Sequence, residues 1–142
     1  MSAANEIALR IGAAARRPAS WVQLFKFGLV GGSGYLVNLA VFALLAGSLG
    51  AHHIVAAIGA FAVAVTNNFL WNRHWTFGPG DGPAHFQAAR FFTVSLASLG
   101  LNLAVLELLL YVEAVGELPA QAIAVAAAMP FNFLGNKLWT FN

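Results

Sequence analysis

The sequence predicts an all-α integral membrane protein whose four transmembrane helices form two repeated hairpins, related by a pseudo-twofold axis along the membrane normal. Three observations predict it: scarcity of charge, four long apolar runs, and a gapless internal repeat. Of 142 residues, 60% are hydrophobic and only 8% charged, whereas soluble domains carry roughly 25% charged residues. Seven basic and five acidic side chains cannot supply the polar shell of a soluble fold this long. The length fits one domain and leaves no room for a second, catalytic one. The absence of cysteine excludes disulfides and thiolate metal sites.

Residues 1–22 are expected to be a cytoplasmic or interfacial lead-in. Glu6, Arg10, Arg16 and Arg17 leave no apolar core for a signal peptide. The transmembrane domain then occupies 23–142, with repeat units 26–77 and 90–141. Phe27 to Ala51 is a run of 25 residues without a formal charge or histidine, and about 20 helical residues cross a ~30 Å hydrocarbon core. Ile54 to Asn72 and Leu118 to Asn136 are uncharged runs of 19 residues each, about 28 Å long as helices. Phe91 to Val112 is interrupted only by Glu107, and the Gly78-Pro79-Gly80-Asp81-Gly82-Pro83 segment before it is a turn that cannot remain helical.

With four spans, the lead-in, the middle connection and the C-terminus share one side. That side holds all seven basic residues: Arg10, Arg16, Arg17, Lys26, Arg73, Arg90 and Lys137. The opposite loops offer only His52, His53, Glu113 and Glu117. The positive-inside rule therefore puts both termini in the cytoplasm. Trp21, Trp71, Trp75 and Trp139 gather toward the same side and are expected to act as interfacial anchors.

Sliding the sequence by 64 residues lays Phe27 to Phe77 onto Phe91 to Phe141 without a gap. Asn38-Leu39-Ala40-Val41 matches Asn102-Leu103-Ala104-Val105, Asn68-Phe69-Leu70 matches Asn132-Phe133-Leu134, and Asn72 with Trp75-Thr76-Phe77 matches Asn136 with Trp139-Thr140-Phe141. Each unit has an even number of spans, so both copies insert the same way and the repeat is parallel. Ala56, Ala60 and Ala64 recur as Ala120, Ala124 and Ala128, giving small-residue faces along which backbones approach closely in lipid. Gly28 and Gly32 make a similar face; Gly32-x-Gly34-x-x-Val37 follows no strand and is a packing surface rather than a nucleotide loop.

The repeat pairs Lys26 with Arg90 and Arg73 with Lys137, one cation at the cytoplasmic end of each span. A basic ring is the expectation. Such cations orient insertion and snorkel to headgroups whatever the function; alternatively, with amides beside them, they receive a lipid-borne phosphate. The paired amides are Asn38 with Asn102, Asn68 with Asn132, and Asn72 with Asn136, while Asn67 has no counterpart. They serve either as interhelical glue, worth about 1 kcal/mol each, or as contacts to sugar hydroxyls and phosphate. Asn72-Arg73 and Asn136-Lys137 suit a sugar-phosphate head group best. Glu107 faces the neutral Ala43 across the repeat and is a candidate coupling group, with Asn38 and Asn102 completing a polar path. Pro130, opposite Thr66, is a candidate kink. No His spacing supports a metal site, and no catalytic constellation is displayed, so neither a cofactor nor an enzymatic activity is expected.

Lys26-Phe27-x-x-Val30-Gly31-Gly32, followed by Asn67-Asn68-Phe69-x-x-Asn72-Arg73-x-Trp75-Thr76-Phe77, resembles the GtrA-like family of small four-helix bacterial membrane proteins. The resemblance covers Phe25 to Phe141, and its second string recurs as Asn132-Phe133, Asn136-Lys137 and Trp139-Thr140-Phe141, with Lys in place of Arg. It implies a role in cell-surface polysaccharide synthesis: flipping polyprenyl-phosphate-linked sugars to the outer leaflet of the bacterial inner membrane. A charged head group faces a barrier of several kcal/mol in hydrocarbon, and four short helices barely enclose a polar path. A homo-oligomer, with a dimer favoured, is therefore expected, and no nucleic-acid partner. Two alternatives compete: a non-transporting partner that recruits a membrane glycosyltransferase, and a small drug/proton antiporter. The antiporter normally needs an acid in its first helix, which this chain lacks, so Glu107 would have to substitute.

Overall fold

A computed structural model of the chain describes residues 2–113 and 115–142. The lead-in of 1–22 thus begins one residue outside the described part. Every regular element among the described residues is helical. Four helices are long and apolar enough to cross a membrane: Pro18–Ser48, His53–Thr76, Ala84–Tyr111 and Glu117–Thr140. The four expected spans are present.

The lead-in is itself ordered as helix α1 (Ala3–Ala15), whose Asn5 N–H is capped by Ser2 Oγ at 3.3 Å. Helix α2 (Pro18–Phe42) starts on a proline in its first turn, where the missing N–H costs nothing. Trp21 Nε1 donates to the carbonyl of Ala15 at 3.0 Å, satisfying one of the acceptors orphaned at the end of α1. The first span therefore begins well before Lys26. With its π-helical tail Ala43–Ser48 it runs for 31 residues, about 45 Å as a helix, longer than the ~30 Å core.

Helix α3 (His53–Trp71) opens with Ile54 N–H donating to His52 Nδ1 at 3.3 Å. Helix α4 (Ala84–Tyr111) follows the turn seen in the sequence, where Gly78 and Gly80 sit at φ 80° and 62°, a conformation open to glycine at no steric cost. Helix α5 (Glu117–Gly135) continues as a helix through Pro130. Helices α3 and α5 each end in a π-helical turn, Asn72–Thr76 and Asn136–Thr140.

The chain separates into two compact units, the first ending at Pro79 and the second starting at Gly80. In the first, α2 packs on α3; in the second, α4 packs on α5. The alanine stripes are the seams. Ala56 and Ala60 are fully inaccessible and Ala64 nearly so, as are Ala120, Ala124 and Ala128 in the other hairpin. Many large apolar residues, Leu36, Ile58, Leu108 and Leu118 among them, point outward, while Phe27, Phe91, Phe133 and Phe141 are buried. This inverts the soluble pattern: lipid gives no hydrophobic reason to hide leucine, so small side chains that allow close backbones take the interior.

Candidate functional site

Polar groups are among the most deeply buried side chains of the helices, alongside Phe91 and Val30. The largest fully buried side chains are Asn72, Asn136 and Thr140, and Thr76 is 4% exposed. All four lie in the two π-helical turns. There the Phe77 N–H donates to the Asn72 carbonyl and the Phe141 N–H to the Asn136 carbonyl, both at 2.9 Å. A wider turn shifts the side chains that follow it around the helix axis, and such turns gather at functional sites.

The two hairpins use this element differently. In the C-terminal one, Asn136 Nδ2 donates to Asn132 Oδ1 and to the Asn132 carbonyl, each at 2.9 Å, and Thr140 Oγ1 donates to Asn136 Oδ1 at 2.9 Å. The three side chains form a closed ladder. In the N-terminal hairpin the corresponding oxygens, Asn68 Oδ1, Asn72 Oδ1 and Thr76 Oγ1, are buried without a hydrogen-bond partner. An unmet buried polar atom costs about 1–3 kcal/mol, a cost that the hydrogen bonds of the C-terminal column avoid at the matching positions. Asn68 lies directly against Gly34: a Cβ added there would overlap its Oδ1 and come within 2.6 Å of its Cγ. Ser98 occupies the matching place in the other hairpin, 5% exposed, with its Oγ unpartnered.

The cations sit on aromatic rings. Lys26 Nζ lies 5.2 Å from the Trp75 ring centre, and Arg90 lies 5.5 Å from that of Trp139 while donating to the Trp139 carbonyl at 3.1 Å. Each contact ties the first span of a hairpin to the end of its second. Two ring pairs do the same, Phe27 with Phe77 at 6.1 Å and Phe91 with Phe141 at 6.2 Å. Cation–π contacts of this kind contribute about 0.5–1 kcal/mol at exposed sites. Lys137 Nζ lies 6.0 Å from the Phe133 ring, and Arg73 is half-buried in the π-helical turn after Asn72.

Each hairpin thus brings two of the sequence's candidate cations and two of its amides to one end: Lys26, Arg73, Asn68 and Asn72 in the first, Arg90, Lys137, Asn132 and Asn136 in the second. Asn38 and Asn102 lie farther along α2 and α4, both half-buried, and Asn102 Oδ1 has no partner. Glu107 is exposed on α4, five residues beyond Asn102. The sequence paired Trp75 with Trp139 and Lys26 with Arg90 but did not join cation to ring. The signal was available, since each repeat unit opens on a cation and closes on Trp-Thr-Phe.

A cleft of about 390 Å³ is cut into the N-terminal hairpin and lined by Leu29, Val30, Ser33, Asn67, Trp71 and Trp75. Its volume falls within the ~300–1,000 Å³ of small-molecule sites. Ser33 Oγ donates to the Val30 carbonyl at 2.8 Å, whereas Asn67 Nδ2 is buried without an acceptor. Trp71 and Trp75 meet edge to face, 6.5 Å apart.

The transmembrane domain of the GtrA/DPMS family matches residues 26–141, which takes in all four cations at the helix ends, both π-helical turns and the cleft. The membrane protein YngA of Bacillus subtilis is 29% identical over 121 residues, covering 83% of this chain and 78% of that protein. A dolichol-phosphate mannosyltransferase of Pyrococcus furiosus is 34% identical over 90 residues, which is 63% of this chain but 25% of the archaeal protein. The chain is thus similar to about a quarter of that protein. With the family match spanning both helical hairpins, this multi-pass membrane protein belongs to the GtrA/DPMS transmembrane-domain family.

Proposed function

We propose that this protein carries polyprenyl-phosphate-linked sugars across the bacterial cytoplasmic membrane, with both termini in the cytoplasm and no chemical step of its own. One observation carries the proposal: each hairpin joins a cation held on tryptophan to a buried amide–hydroxyl column at a single end, Lys26–Trp75 beside Asn72 and Thr76, and Arg90–Trp139 beside Asn136 and Thr140. A glycosyl phosphate offers the complementary groups, an anion for the cation and hydroxyls for the amides. All seven basic residues lie toward that end or in the lead-in, which fits loading from the cytoplasmic leaflet. Transport is downhill, drawn by consumption of the sugar on the far side, and a homodimer supplies the enclosure that one chain lacks.

The test is leaflet exchange of a fluorescent polyprenyl-phosphate hexose in liposomes containing the purified protein. Neutralising Arg73 and Lys137 together should slow exchange at least about tenfold, the loss expected from one charge-assisted hydrogen bond. Exchange no faster than in protein-free liposomes sinks the proposal.

A second activity is favoured by the archaeal relative. A stretch similar to this chain forms part of a protein named as a dolichol-phosphate mannosyltransferase, so these helices can serve as the membrane partner of a glycosyltransferase. In that case affinity purification from native membranes recovers the transferase, and the liposomes show no exchange.

A further inference from the structure

The two hairpins differ where their repeat positions should coincide. In the N-terminal hairpin, Asn67, Trp71 and Trp75 wall the cleft of about 390 Å³. The positions 64 residues later are Phe131, Gly135 and Trp139. Gly135 packs so closely on Val94 that a Cβ there would come within 2.8 Å of Val94 Cγ1. Val94 is the counterpart of Val30, which lines the cleft. The helix contact therefore occupies, in the C-terminal hairpin, the ground that a tryptophan and an amide border in the N-terminal one.

We infer that the N-terminal hairpin alone holds a glycan subsite, in which the sugar ring of a prenyl-phosphate sugar lies against Trp71 and Trp75, accepts a hydrogen bond from Asn67 Nδ2, and directs its phosphate to Lys26. This deepens the transport proposal and rests on it for the class of ligand. Three features select a sugar over a lipid tail. Asn67 borders the cleft while its Nδ2 is buried without an acceptor; a hydrocarbon chain would leave that donor unmet, whereas rotation of the side-chain amide lets a ring hydroxyl satisfy it. Indole rings present flat apolar surface to the C–H face of a sugar while its hydroxyls remain free to bond at the edge. Lys26 Nζ, 5.2 Å from the Trp75 ring centre, puts a cation beside the aromatic wall, where a phosphate joined to that ring would need one. A polar ring, an anion and an apolar tail are recognised together only by such a mixture.

The consequence is one sugar site per chain, since hydrogen bonds along Asn132, Asn136 and Thr140 already engage in the C-terminal hairpin the side-chain oxygens left unpartnered at the matching positions of the N-terminal one.

The test is equilibrium binding of a radiolabelled short-prenyl hexosyl phosphate to the full chain in nanodiscs, alongside the same prenyl phosphate without sugar. Wild type should bind the sugar-bearing probe about tenfold more tightly, as expected for one hydrogen bond plus an aromatic contact. Asn67→Leu and Trp71→Leu should each remove most of that preference; Trp71→Phe should keep most of it, and Phe131→Leu should leave it intact. Helical circular dichroism confirms that the variants fold, and Trp71→Phe supplies the answer if Trp71→Leu does not. Equal affinity of wild type for the two probes means that a lipid tail fills the cleft, and overturns the subsite. A preference for the sugar that survives both Asn67→Leu and Trp71→Leu also overturns it, while leaving the transport proposal standing. Sugar-selective binding that these variants abolish, in a protein that catalyses no leaflet exchange, upholds the subsite and removes transport.

Discussion

Replacing Gly34 by alanine tests how tightly the N-terminal hairpin is closed. The new Cβ would overlap Asn68 Oδ1 and lie 2.6 Å from both Asn68 Cγ and Nδ2, so the whole amide must rotate away from α2. Overpacking of this kind costs typically about 1–3 kcal/mol. Alanine also returns up to about 1 kcal/mol of helix propensity relative to glycine. The expected net loss is about 1–2 kcal/mol, read by reversible unfolding in mixed micelles of mild detergent and dodecyl sulfate. Removing the obstacle reverses the sign: in an Asn68→Ala background, Gly34→Ala should be neutral or stabilising, with a coupling between the two positions of about 1–3 kcal/mol. Ser98 is the internal control. A side chain already fills that place in the C-terminal hairpin, and its hydroxyl is buried without a partner, so Ser98→Ala should be neutral or mildly stabilising. Equal stability of Gly34→Ala and wild type, or a loss that persists after Asn68→Ala, refutes the account of an amide wedged against a bare backbone.

The same unfolding assay separates the two polar columns. Asn136→Ala removes the bonds to Asn132 Oδ1 and from Thr140 and should cost about 1–3 kcal/mol, while Asn72→Ala, whose Oδ1 has no partner, should cost less. Ala124→Leu forces an isobutyl group into a seam with 0% exposure and should prevent native packing of the C-terminal hairpin, detected as loss of monodisperse protein in detergent; Val125→Leu, on an exposed neighbouring position, should be tolerated. Because the chain contains no cysteine, a single cysteine at Ser2 or Asn142 reports topology cleanly. Impermeant maleimide should label either one only after the cells are opened, and labelling of intact spheroplasts would reverse the orientation.

The spans were legible because length in hydrocarbon is set by runs without charge. The runs ending at Asn72 and Asn136 fall four residues short of the helical ends at Thr76 and Thr140, and the difference is the π-helical turns, which Arg73 and Lys137 interrupt in a count of charge but not in the backbone. The alanine seams were legible from spacing, since four-residue steps stay on one helix face. What was not legible is contact between distant parts of a hairpin. A helix apolar on all sides has no hydrophobic phase to say which residues face inward, so Lys26 on Trp75, or Asn68 against Gly34, leaves no periodic trace. Nor did the repeat reveal what the divergence of its copies does to the space between the helices. Asn67 without a counterpart was visible, but its meaning depends on the space beside it, which Trp71 borders in one hairpin and the Gly135–Val94 contact takes in the other. Helix α1 was hidden because Glu6, Arg10, Arg16 and Arg17 marked the segment as unable to span, a judgement about lipid rather than about helical order.

The alanine seams bear on how the protein is made. Each is completed between helices adjacent in the chain, Ala56, Ala60 and Ala64 within the hairpin that ends before Gly80, and Ala120, Ala124 and Ala128 after it. The ribosome has therefore synthesised every partner of the first seam before it reaches α4. A hairpin finished so early can leave the translocon as a closed pair, without holding small-residue faces open to lipid while the rest of the chain is translated. Biogenesis becomes two short insertion events in series, divided by the glycine-rich connection between the hairpins.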